Sequence, residues 1–93
     1  MSPFKRKTCA HLDAIKTVKQ ATAYECSECM EIGGSWLHLR TCQDCGITLC
    51  CDSSPNKHAS KHARDHDHKV VISAEPGEKW AWCYEHKLIK QFA

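Results

Sequence analysis

Apolar positions come in short groups separated by turn residues, a pattern that predicts several brief elements rather than long periodic ones. Leu12, Ile15 and Val18 recur at helical spacing, yet the β-branched Thr17, Val18 and Thr22 stiffen the same stretch. Residues 12–23 are therefore expected as a helix or an irregular strand. Residues 24–29 hold a CxxC turn, and Gly33-Gly34 breaks the chain after it. Residues 35–40 alternate, with Leu37 and Leu39 on one face and Trp36 and His38 on the other. This predicts a strand answered by a second around Ile47 and Leu49. The turn-forming residues 52–56 precede and cap a helix expected over 56–64. A β-branched strand follows over 68–72, then a Pro76-Gly77 turn. A last strand over 79–84 carries Trp80 and Trp82 on one face. The expected class is α+β: a small domain with a short, mostly antiparallel sheet and one or two helices. Residues 1–8, with Lys5, Arg6 and Lys7, are expected as a flexible start, and 9–93 as a single domain.

The apolar core alone is marginal. A chain of 93 residues buries only about 60–65% of its unfolded surface, so a second source of stability is expected. Eight cysteines and seven histidines supply the candidates. A disulfide framework is the first alternative. Against it, histidines are interleaved with the cysteines at ligand spacings. The opening MSPFKRKTC is also basic and polar, so neither a signal peptide nor a transmembrane segment is expected. A reducing, cytoplasmic setting with free thiols follows as the expectation.

The ligand candidates are densest over 41–68, where Cys42-x2-Cys45 is followed by Cys50, His58, His62 and His68. A CxxC pair places two thiolates on one tight turn around a shared metal, and histidines fill the other tetrahedral corners. Zinc is the expected ion. Two partitions compete. Cys42, Cys45, His58 and His62 match the spacing of a DNA-reading ββα finger, but Pro55 falls where such a finger needs a core leucine inside its recognition helix. That reading also strands many other ligands.

Taken together, Cys9-x-His11, Cys26-x2-Cys29, Cys42-x2-Cys45, Cys50, His58-x3-His62-x5-His68 and Trp82-Cys83-Tyr84 resemble the UBP-type zinc finger. This family is known from ubiquitin-specific proteases and a cytoplasmic histone deacetylase, and the stretch after Cys45 is most similar to its small stand-alone prokaryotic members. The resemblance implies one zinc on Cys26, Cys29, Cys50 and His58, and a second on Cys42, Cys45, His62 and His68. It implies a third on Cys9, His11, Cys83 and His86, with His86 standing where three-zinc members have a cysteine. Three ions are thus expected, two at minimum, and only Cys51, His38 and His66 are left over.

With every site filled by four protein groups, no position is left open for catalytic water, so the chain is expected not to be an enzyme. The resemblance implies a protein- or peptide-binding module. Many members capture the free diglycine tail of ubiquitin between aromatic walls and an arginine. Trp82 and Tyr84 match two of those aromatics. The arginine is replaced by Asp52, which would repel a carboxylate, and the family's tryptophan before the second CxxC is replaced by Arg40, a candidate substitute cation. The partner is thus expected to be a protein or peptide of unknown identity, and the chain a monomer. A nucleic-acid finger using Lys57, Lys61, Arg64 and Lys69 is the alternative. It is opposed by a formal charge of +2, which drops to +1 with three zincs and seven thiolates. A redox protein using Cys51 is a further alternative.

Overall fold

The computed structural model describes residues 9–15 and 17–91; the expected flexible start over 1–8 lies outside them. Three helices and five strands follow in chain order. They are α1 (Ala10–Asp13), α2 (Ser27–Ile32), β1 (Leu39–Cys42), β2 (Thr48–Cys50), α3 (His58–His66), β3 (Val70–Ser73), β4 (Trp80–Cys83) and β5 (Leu88–Gln91). The strands form one sheet in the order β2-β1-β3-β4-β5, and every neighbouring pair is antiparallel. The fold is α+β.

Register explains which residues meet. Val70 lies opposite Cys83 and Ile72 opposite Ala81. All four are buried and cluster with Cys9 and Leu12, with Ile15, Val18 and Leu88 packed around them. Thus α1 covers one face of β3 and β4. A second cluster joins Leu39, Leu49 and Cys50 to Cys26 and Cys29 of the α2 turn and Ala59 of α3. Because side chains alternate along a strand, Arg40, Val71, Ser73, Trp80 and Trp82 take the other face of the sheet.

The expected elements are corrected in four places. Among its described residues, the segment 12–23 is neither helix nor strand beyond Asp13, because the β-branched run does not sustain the single turn of α1. It is held instead by Gln43, whose side chain accepts from the Lys19 N–H at 2.8 Å and donates to the Lys19 carbonyl at 3.0 Å. The first strand begins at Leu39 rather than 35, and Leu37 is exposed. The helix expected over 56–64 runs His58–His66, and its N-cap is Lys57 at φ 50° with no side-chain cap. The expected cap region instead turns Ser54 back onto the Leu37 N–H at 2.9 Å. Finally, α2 and β5 had not been expected, so the described residues hold three helices where one or two were expected.

Candidate metal centres

The local sequence places thiols at the starts of helices. Cys9 and Cys26 are the N-caps of α1 and α2. Their sulfurs accept the backbone N–H of Leu12 and Cys29, each at 3.4 Å, which satisfies an end donor of the helix and favours the thiolate. At the third helix the N–H of His58 donates to Cys50 Sγ at 3.2 Å. Each helix thus begins against a sulfur.

Three groups of four side chains result, each with its ligand atoms within 4.8 Å of one another. Cys26, Cys29, Cys50 and His58 form the first. Cys42, Cys45, His62 and His68 form the second. Cys9, His11, Cys83 and His86 form the third. Sequence-predicted ligands are thereby brought together in the partition that the family resemblance implies. The ββα partition is not formed, because His58 faces Cys50 and not Cys42.

The spacings fit a tetrahedral ion. With Zn–S about 2.3 Å and Zn–N about 2.0–2.1 Å, tetrahedral edges come to about 3.8 Å for S···S, about 3.6 Å for S···N and about 3.3 Å for N···N. In the first group Cys29 and Cys50 sulfurs are 3.8 Å apart, and His58 Nδ1 is 3.4, 3.4 and 3.6 Å from Cys26, Cys29 and Cys50. In the second, Cys42 Sγ to His68 Nδ1 is 3.4 Å, Cys45 Sγ to His62 Nε2 is 3.3 Å, and the two imidazole nitrogens are 3.2 Å apart. In the third, Cys83 Sγ lies 3.3 Å from His11 Nδ1 and 3.7 Å from His86 Nδ1. All eight cysteines are free thiols, so there are no disulfides.

Outer contacts complete the first and third groups. Glu28 reaches His58 Nε2 at 3.9 Å and Glu85 reaches His86 Nε2 at 3.6 Å. Each carboxylate faces the nitrogen opposite the one turned to the sulfurs, an arrangement that orients a metal-ligating imidazole. Asn56 Nδ2 donates to Cys29 Sγ at 3.7 Å. Sequence reading missed all three outer partners, although Glu28 sits inside the CxxC turn itself.

Burial pushes the Cys26 thiol up to about 12, and raises Cys9, Cys42 and Cys50 as well. A bound cation reverses this, since a coordinating thiol is deprotonated outright. His62 is shifted down by burial and by the neighbouring His66 and His68, which favours the neutral ring a metal requires.

The leftover residues separate clearly. His38 and His66 are exposed, while Cys51 is buried, its sulfur 3.6 Å from Ser54 Oγ. Burial raises the Cys51 thiol, but hydrogen bonds from Ser54 and nearby backbone, with the charge of Arg40, outweigh it and bring the thiol to about 7. Arg40 stacks over Trp80 at 4.6 Å from the ring centroid. The Trp82 and Tyr84 rings meet edge to face at 6.5 Å. Trp80 had not been singled out for binding, although its two-residue offset from Trp82 puts both on one face.

The sequence of residues 26–88 matches the model of the family described as the Zn-finger in ubiquitin-hydrolases and other proteins. The chain belongs to the UBP-type zinc-finger family. This UBP-type finger is similar to the solution NMR structure of protein RPA1320 from Rhodopseudomonas palustris. The identity is 39% and the TM-score 0.79, over 94% of this chain and 84% of that one. No curated protein matches the chain. Among the described residues, no helix of this finger is long and apolar enough to cross a membrane.

Proposed function

We propose that this UBP-type finger is a non-catalytic binding module stapled by three zinc ions, and that it takes an extended peptide whose terminal carboxylate pairs with Arg40. The observation that carries this reading is the Arg40–Trp80 stack beside Trp82 and Tyr84. The guanidinium also donates to the Leu39 carbonyl at 2.9 Å, so it is held in place. No carboxylate pairs with it among the described residues. A fixed cation beside aromatic faces is complementary to a carboxylate on an extended chain. It supplies from β1 the charge that Asp52 does not. Four protein ligands in each centre leave no open position for hydrolytic water.

Nucleic acid fits less well. Of the four basic residues that such a surface needs, Lys69 is already paired with Asp67 at 2.5 Å and Glu85 at 2.8 Å. The reading is of a monomer in a reducing cytoplasmic setting, where its thiols remain available to metal.

Glycine-terminated peptides with a free carboxylate or a terminal amide test this, with Trp80 and Trp82 fluorescence as the signal. A charge-assisted contact is worth roughly 1.5–3 kcal/mol, so the free acid is expected to bind roughly 10- to 150-fold more tightly. Arg40→Ala should abolish that preference. Equal affinity for the two peptides, or a preference that survives Arg40→Ala, rules the reading out.

A further inference from the structure

We infer that His66 is a reserve ligand for the metal held by Cys42, Cys45, His62 and His68, replacing Cys45 when that thiolate is modified. The inference rests on the proposed reading that this second centre holds a zinc ion.

Two independent observations meet at this centre. Cys45 is exposed, whereas the other seven cysteines are buried. It is therefore the thiolate that electrophiles and oxidants reach first. A third imidazole, that of His66, unused by any of the three groups, then sits beside the same centre. His66 is one helical turn after His62 on α3, so both project from one face. Its ring centroid is 4.6 Å from that of His62 and 5.8 Å from that of His68, and these two are 5.1 Å apart. Three imidazole rings thus pack together at this centre, His66 on its outer side.

At rest, two thiolates and two imidazoles fill the tetrahedron, and His66 stands outside it. The ring is exposed, so a change of rotamer displaces no packed neighbour. Imidazole is as competent a zinc ligand as thiolate. Replacement gives Cys42, His62, His66 and His68, still four-coordinate. The first group's four ligands are all buried, so none of them is open to reagents as Cys45 is.

Alkylation of the folded, metal-loaded protein isolates the step. One equivalent of iodoacetamide is used, the Cys45 sulfur displacing iodide to form a neutral thioether that no longer serves as a thiolate ligand. Native mass spectrometry counts metal ions, and peptide mapping confirms the site. The wild-type chain modified at Cys45 is expected to keep its full complement. His66→Ala is expected to match wild type before treatment and to lose one ion after it, with release to a chromogenic chelator faster by on the order of tenfold or more. Cys45→Ser should likewise retain the ion, and Cys45→Ser with His66→Ala should lose it.

Loss of the ion from both alkylated proteins, or retention by both, overturns the inference. So does an untreated His66→Ala chain already short of one ion, since His66 would then belong to the resting set. An untreated wild-type count showing no ion at the second centre would instead overturn the zinc reading itself, before any alkylation, and this inference with it.

Discussion

Replacing His86 by alanine separates the contribution of the third centre from that of the core. The His86 side chain is 43% exposed, so truncation opens no cavity and should cost within about 0.5 kcal/mol through packing. The metal link is another matter. An ion on this centre would tie His11 to Cys83 across 72 positions, and closing a loop of that length restricts the unfolded chain by about 4 kcal/mol at 25 °C. The parallel stacking of the His11 and His86 rings, at 5.0 Å and 25°, is consistent with one shared ion. With a urea dependence of about 1.5–2 kcal/mol per M, loss of the link should move the unfolding midpoint down by about 2–3 M. The assay pairs urea unfolding, followed by tryptophan fluorescence, with a metal count on the same sample. If one ion is lost and the midpoint moves by less than about 0.5 M, the ends are held by the β3–β4 core and the cross-link argument is wrong. If the count does not fall, His86 is not a ligand.

Two further outcomes follow from the site geometry. A Cβ at Gly34 would stand 2.7 Å from Asn56 Nδ2 and 3.4 Å from Cys29 Sγ, so Gly34→Ala should push the Asn56 amide off the thiolate. A cost of about 1–3 kcal/mol is expected, with faster metal release from the first centre in a chelator assay; an unchanged release rate would show that the Asn56 contact does not hold the metal. Metal uptake should also expel protons. Burial holds the unmetallated Cys26 thiol at about 12, and an unfolded thiol titrates near 8.5, so both states bind the proton at neutral pH. Because a thiol gives up its proton on binding metal, loading the seven clustered thiols should release up to seven protons per chain near pH 7. Lowering the pH favours the protonated, metal-free form. Calorimetry in buffers of different ionisation enthalpy counts the protons, and a number far below seven would contradict thiolate ligation.

The ligand candidates were legible from their spacing, and their partition from the resemblance to the UBP-type family. CxxC turns, the His58/His62 pair and the paired ends at Cys9-x-His11 and Cys83-x2-His86 are local patterns, and the three groups in the structure contain those same residues. The strands were legible where β-branched residues run together, as in 70–72. What was not legible is what the centres themselves dictate. Lys57 adopts a positive φ without any side-chain cap, a conformation propensity disfavours, while the next residue presents both its N–H and its ring to sulfur. The turn of α2 is too short for periodicity to reveal and is built around Cys26 and Cys29. β5 lacked an alternating signal, since Ile89, Lys90 and Gln91 are all exposed; its pairing with β4 defines it. Arg40 was named as a candidate cation, but its partner Trp80 depends on a cross-sheet approach that no local pattern encodes.

Helix α3 sends His58 to the first centre and His62 to the second, and that division makes the helix a ruler. One residue added or removed between them would turn the second ring by about 100° and shift it by about 1.5 Å along the axis, disconnecting one centre while sparing the other. Length is therefore fixed here more strictly than identity. Lys61 is exposed and Ser60 half-buried, with the Ser60 hydroxyl donating to the Lys57 carbonyl of its own turn at 3.3 Å. Changes of charge at these two positions leave both ligand sets untouched. Ser60 and Lys61 are thus free to vary, while any change in the residue count between the two histidines would be visible as the loss of a metal.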